Sequence, residues 1–130
     1  MKTIKIDPIA DLLTRIRNAG KARKDVLTVP HSGIKVNMLK VMKARGFITD
    51  YKTVKNGDFQ EIEVTLNQEK SSITLKRVSK SGQRIYVKSN TLKKVNGGLG
   101  VAILSTPKGI ITGEEAKKLN VGGELLCEIY

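Results

Sequence analysis

The sequence predicts an α+β fold: an N-terminal two-helix α/β domain with a small sheet, followed by a β-rich C-terminal domain with one short helix. Three observations predict it. Apolar stripes at helical spacing, bounded by capping residues, lie near the N-terminus. Period-two apolar runs dominate after residue 70. A polar stretch, Gln68 to Ser72, separates the two patterns and reads as a linker. The expected domains are residues 1–68 and 69–130, with no internal repeat and no low-complexity tract.

The first helix opens at Asp7-Pro8. Asp caps free N–H groups, and Pro suits a first helical position, where its missing N–H would have gone unpaired anyway. Ile9, Leu12, Leu13 and Ile16 then form one stripe, and Asn18-Ala19-Gly20 ends the helix with Gly20 as its left-handed cap. Val26 to Val29 is a short strand stopped by Pro30. A second helix follows Ser32-Gly33 and runs to about Arg45, with Ile34, Met38, Val41 and Met42 on its apolar face and Gly46 past its end.

Strands are expected over Phe47–Lys55 and Phe59–Leu66, flanking the hairpin signal Asn56-Gly57. In the second, Ile62, Val64 and Leu66 alternate with Glu61, Glu63 and Thr65, so one face is buried and the other wet. Further strands are expected at Ile73–Val78, Gln83–Lys88, Val101–Ser105 and Glu124–Tyr130. A short helix interrupts at about Gly113–Leu119, where Thr112 and Glu115 have capping-box spacing that would tie down two N–H groups.

Charge narrows the function. Lys and Arg number 24 against 12 acids, a net charge of +12. Such an excess attracts polyanions, and nucleic acid is the commonest of these. Both domains share the excess, but from Lys70 to Gly113 there are nine bases and no acid. Within that run Gln83 to Lys88 alternates strictly. Arg84, Tyr86 and Lys88 share one face, with Ile85 and Val87 on the other. Two cations around an aromatic ring suit phosphates beside a base or ribose, although a tyrosine covering a core edge among solvated cations has the same pattern. Arg15, Arg17, Lys21, Arg23 and Lys24 form a second cluster, which also suits the negative end of a helix dipole.

Gly97 to Ile111 carries the most chemistry. A buried strand delivers the polar turn Ser105-Thr106-Pro107-Lys108-Gly109. Its hydroxyls can meet ribose 2′-OH groups and base edges, and Lys108 can neutralise a phosphate. An ordinary hairpin turn would use Pro and Gly too. Gly122-Gly123-Glu124 leads into the last strand. There Glu124 can accept from a base amino group or pin a neighbouring lysine.

Enzyme constellations are missing. His31 is the one histidine and Cys127 the one cysteine, which excludes an intramolecular disulfide and gives no metal-ligand spacing. Cys127 reads as a core thiol. The glycines near Gly97 lack the Gly-Lys-Ser/Thr ending of a phosphate loop, and no paired carboxylates suit acid–base work. No catalysis, cofactor or metal is expected. No apolar run has the length of a membrane span, and Met1 to Ile6 has no signal-peptide core. A reducing, cytoplasmic setting follows.

Over Gly100 to Lys117 the sequence resembles the bacterial small-subunit ribosomal protein eight family. The match runs through Gly100, Ile103-Leu104-Ser105-Thr106, Gly109-Ile110-Ile111 and Ala116-Lys117. Asp7 to Ala19 is similar to the family's N-terminus. Val29-Pro30, Gly46-Phe47-Ile48, Arg77-Val78-Ser79, Arg84-Ile85-Tyr86 and Gly122-Gly123-Glu124 match in order. The resemblance implies a two-domain RNA binder that recognises the central domain of 16S rRNA early in assembly of the small subunit's platform. It implies neighbours in ribosomal proteins five and twelve, and in some members repression of their own operon's mRNA through a mimic of the rRNA site. It assigns the RNA surface to Ser105, Thr106, Lys108, Gly109, Tyr86, Gly123 and Glu124. With the residue patterns above, Arg84, Lys88 and Pro107 join that set, and secondary contacts are expected at Thr14, Arg15, Arg17, Asn18, Ser32 and Lys35. The chain is expected to be a monomer outside the ribosome, and the resemblance fits a cytoplasmic or an organellar ribosome alike. Ser81 and Lys93 stand where the family usually has Pro, and Pro107 stands where it usually has a hydroxyl residue.

Overall fold

The computed structural model describes residues 7–70 and 73–130. The segment before Asp7 and part of the polar Gln68–Ser72 stretch lie outside the described residues. Helix α1 spans Pro8–Lys21, β1 Val26–Pro30, α2 Gly33–Ala44, β2 Ile48–Asn56 and β3 Phe59–Leu66. After a 3-10 turn at Gln68–Lys70 come β4 Leu75–Arg77, β5 Tyr86–Val87, β6 Val101–Thr106, β7 Gly109–Thr112, α3 Gly113–Leu119 and β8 Gly123–Ile129. The α+β class is thus observed.

Helix α1 starts as its cap demands. The Asp7 carboxylate accepts from the N–H groups of Ile9 and Ala10 at 3.0 and 3.1 Å. Its end differs from expectation. The helix runs through Gly20 to Lys21, and the left-handed residue is Arg23, with φ 54°. Arg23 and Lys24 donate their N–H groups to the carbonyls of Gly20 and Ala19, which satisfies the helix end without a glycine in the left-handed position. Helix α2 is capped by Ser32, and Gly46 beyond it takes φ 77°. Leu39 joins Met38, Val41 and Met42 in its buried face, whereas Ile34 is half-buried.

The first sheet has the order β1-β3-β2, all antiparallel. Its hairpin is shifted one residue from the sequence signal. Asn56 pairs with Phe59, so Gly57 and Asp58 form the loop, with Gly57 at φ 66°. Pro30 ends β1 on the sheet's edge, where its missing N–H costs no ladder bond.

In the second sheet β8 is central. It pairs with β6 on one side and with β4 and β5 in succession on the other, while β7 extends the sheet beyond β6. Strand β7 was absent from the expected strands, because its four residues include Gly109 and Thr112 and carry little periodicity. Strand β5 is shorter than the expected Gln83–Lys88, since side chains take up backbone groups on both flanks. The Ile85 N–H donates to Ser79 Oγ and the Lys88 N–H to Thr91 Oγ1. Of the expected capping box on α3, the Thr112 hydroxyl accepts from the Glu115 N–H at 3.1 Å, but the Glu115 carboxylate faces that same hydroxyl at 3.5 Å.

A bulge in β8 divides the packing. Ile103 pairs with Cys127 but Leu104 with Leu125, which leaves Leu126 as the extra residue. Val101, Ile103, Leu126, Cys127, Ile129 and Leu75 join the α1 and α2 residues and the first sheet in one large core. On the opposite sheet face Ala102, Leu104 and Leu125 form a smaller core with Leu92, Val95 and Ala116. One apolar cluster therefore crosses the polar stretch near residue 70. Asp7 reinforces it by accepting from Arg77 Nε at 3.1 Å, and Arg17 donates to the Leu75 carbonyl.

Candidate nucleic-acid interface

Strand register builds the site. Tyr86 of β5 pairs with Glu124 of β8, Glu124 pairs with Ser105 of β6, and Ser105 pairs with Ile110 of β7. Residues directly opposite in antiparallel strands point to the same face, with Cβ atoms about 5 Å apart. Tyr86, Glu124 and Ser105 thus form one row across three strands. Further along β6 the same face carries Ile103 and Val101 into the large core. The row lies at the end of that face, with Tyr86 exposed and Glu124 and Ser105 half-buried.

Tyr86 is 71% exposed. Arg84 and Lys88 are exposed with it, while Ile85 and Val87 are half-buried, as the alternation predicts. Glu124 is half-buried and tightly held. One of its carboxylate oxygens, Oε2, accepts from Ser79 Oγ at 2.5 Å and from Arg84 at 2.9 Å. Burial pushes the Glu124 carboxyl up, but Ser79 and Arg84 outweigh it and hold it below its ordinary value. The cation that Glu124 pins is an arginine, Arg84, and not the lysine expected from the sequence.

The β6–β7 turn lies beside the row. Thr106 pairs with Gly109, which leaves Pro107 and Lys108 at the tip. The Thr106 hydroxyl accepts from the Lys108 N–H at 3.1 Å and donates to the Gly109 carbonyl at 2.9 Å. Gly109 takes φ 107°, a conformation that favours glycine. Pro107, Lys108 and Gly109 are exposed, and Ser105 and Thr106 half-buried. Gly123 is needed for contact between strands, since a Cβ there would meet the Ser105 carbonyl oxygen at 2.2 Å.

Electrostatics favour an anion. Among the described residues none of the seven ion pairs includes Lys76, Lys80, Lys88, Lys93, Lys94, Lys108, Lys117 or Lys118. These cations occupy more than one face: Lys93, Lys94 and Lys117 line a small cleft on the α3 side.

The secondary positions disperse. Arg15 and Asn18 line an open groove of about 550 Å³ with Lys24 and Thr28, and Arg15 is paired with Asp11 at 3.0 Å. Thr14 is exposed, Arg17 is turned onto β4, and Ser32 caps α2. Lys35, expected at the surface, is instead 5% exposed. Its ammonium donates to the Pro30 carbonyl at 3.1 Å and lies 3.9 Å from Asp11, which withdraws it from solvent. Burial, only partly offset by Asp11, lowers its pKa.

Ser79 was assigned no role by the sequence patterns, although the resemblance passes through it. It lies 45 residues from Glu124, and no local spacing connects them. Cys127 is enclosed in the core and His31 is exposed. Among the described residues no group of three or more His, Cys, Asp or Glu could hold a metal ion, and no helix is long and apolar enough to cross a membrane.

Comparison with known proteins places the chain in a family. The chain is 44% identical over 128 residues to a protein of Halothermothrix orenii named small ribosomal subunit protein uS8, covering 95% of this chain and 97% of that one. Proteins of the same name from Clostridium botulinum and Geotalea uraniireducens are each 47% identical over 128 residues, with the same coverage. The family described as Ribosomal protein S8 matches residues 7–130. The chain belongs to the Ribosomal protein S8 family.

Proposed function

We propose that this protein is a structural constituent of the small ribosomal subunit that binds the central domain of 16S rRNA through the Tyr86–Glu124–Ser105 row and the Ser105–Gly109 turn. Family membership supports the coarser statement, a ribosomal protein of the small subunit. The observation that carries the finer one is the row itself: an exposed ring, a carboxylate and a hydroxyl in register on one sheet end, beside lysines without acid partners. Phosphates met by Lys108, Lys88 and Lys80 supply affinity, and the row and turn supply the fit to one RNA shape.

Arg15 and Asn18 are the best placed of the secondary contacts, in the groove beside Lys24. Assembly of the platform, contact with ribosomal proteins five and twelve, and repression of the protein's own operon mRNA belong to the same reading, in a ribosome of the cytoplasm. The role requires no catalysis and no cofactor. Footprinting on naked small-subunit rRNA tests the proposal. One compact protected helix in the central domain is expected. Protection scattered over the whole RNA, or none, counts against it.

A further inference from the structure

We propose that Ser79 is a positioning residue for RNA recognition: its buried hydroxyl holds one oxygen of the Glu124 carboxylate, so that the other is kept for a hydrogen-bond donor on the RNA beside Tyr86 and Ser105. The inference rests on the RNA reading of that row.

Ser79 is 0% exposed, and its hydroxyl both donates and accepts. It accepts from the Ile85 N–H at 3.0 Å and donates to Glu124 Oε2 at 2.5 Å. Ile85 precedes Tyr86, so the same hydroxyl ties down both the strand that carries the ring and the carboxylate opposite the ring. Arg84 donates to the same oxygen, Oε2, at 2.9 Å. Both protein donors thus converge on one oxygen. Among the described residues Oε1 receives no hydrogen bond.

The chemistry of the ligand follows. A carboxylate repels phosphate, so a phosphate is not what Glu124 takes from the RNA. It takes a neutral N–H or O–H donor: an exocyclic base amine or a ribose 2′-hydroxyl. Glu124 is the anionic acceptor in a surface otherwise made of hydroxyls and cations, and so selects a base or ribose edge against bare backbone. Without the Ser79 hydroxyl, the carboxylate can turn to meet the Arg84 guanidinium with both oxygens, the geometry such pairs favour. The spare acceptor is then lost while the surface charge is unchanged.

The test uses the full chain with two RNAs: a transcript of the 16S central domain and an unrelated hairpin transcript of equal length. Ser79→Ala should lower affinity for the first about tenfold and leave the second and both salt slopes unchanged. Added to Glu124→Ala it should cost nothing further, and Ser79→Thr, which keeps the hydroxyl, should retain the preference. A Ser79→Ala variant that keeps the preference, loses equally on both RNAs, or adds its loss to that of Glu124→Ala overturns the inference. Should Ser79→Ala fail to fold, the Glu124 carboxyl carbon resonance of the unaltered protein decides. Movement with the central-domain RNA alone supports the inference, and no movement, or movement with both RNAs, overturns it. If the unaltered protein shows no preference between the RNAs, the proposed function fails and this inference falls with it. If the preference exists and survives Ser79→Ala, only the role of Ser79 is lost.

Discussion

The Thr106 hydroxyl accepts from the Lys108 N–H at 3.1 Å, so the residue entering the β6–β7 turn also sets the backbone of the residue at its tip. Donation to the Gly109 carbonyl uses the hydroxyl's one proton. Thr106→Val removes both bonds and keeps the shape. It should lower affinity for central-domain rRNA several-fold, in line with the roughly 1 kcal/mol of an ordinary hydrogen bond, and affect an unrelated RNA less. Thr106→Ser should behave as the unaltered protein. Filter binding with both RNAs checks this, and equal losses would deny the turn a specific role.

Lys108 and Lys35 should separate in a salt titration. Lys108 is exposed at the turn and unpaired, so Lys108→Ala should weaken binding to all RNAs and lower the slope of log affinity against log salt by roughly one phosphate contact's share. Lys35 is buried against Pro30, so Lys35→Met should leave that slope unchanged. A lowered slope for Lys35→Met would show that its ammonium reaches solvent when RNA is bound.

Gly123→Ala places a methyl group against the Ser105 carbonyl and Thr106. The clash is with backbone, so β6 and β8 must separate beneath the row. A destabilisation of about 1–3 kcal/mol by urea unfolding is expected, with lost preference for the cognate RNA even where the protein remains folded. Normal stability together with normal preference would mean that the two strands are not in close contact here.

Asp7 gives the acid limb of stability a definite sign. Burial pushes its carboxyl up, but the Ala10 N–H, the Arg77 guanidinium and the Ile9 N–H outweigh it and hold the carboxyl below its ordinary 3.8. A folded value below the unfolded one gives stability that is present above the unfolded value and lost as pH falls through the folded value. The loss should therefore begin near pH 4 and grow below it. Asp7→Asn keeps a capping oxygen but no charge. It should reduce stability at neutral pH by about 1 kcal/mol and flatten thermal midpoints measured below pH 4. An unchanged acid limb would exclude this ion pair as its source.

Cys127 should be silent in the folded protein. Burial pushes its thiol up to about 12, with Arg77 opposing and Glu128 adding. A maleimide at pH 8 should leave the native protein unlabelled and modify it fully in urea, at a rate that follows unfolding. Rapid labelling of native protein would place the thiol at the surface.

Much of this was legible in the order of the residues. Asp7-Pro8, Ser32-Gly33 and Thr112 mark helix starts because a cap depends on a residue and the backbone a few positions along. The alternation at Arg84 to Lys88 appears as alternating exposure because a strand's period is local. The misplaced features are those where neighbours in space competed. Gly20 lost the left-handed position to Arg23 once the carbonyls of Ala19 and Gly20 found donors beyond the helix. Strand β5 stopped short where Ser79 and Thr91 took the N–H groups on its flanks.

The sequence by itself determined the class of the elements, the excess of cations, which residues share a face of β5 and the composition of the Ser105–Gly109 turn. Each depends on contacts between near neighbours in the chain or on simple counting. Only the tertiary structure decided that Tyr86, Glu124 and Ser105 stand in one row, that Ser79 lies beneath it and that Lys35 is lost to the interior. Those facts depend on pairing register and on a bulge at Leu126. A shift of one residue in β8 would turn Glu124 to the other face of the sheet, and no local pattern in the chain specifies that choice.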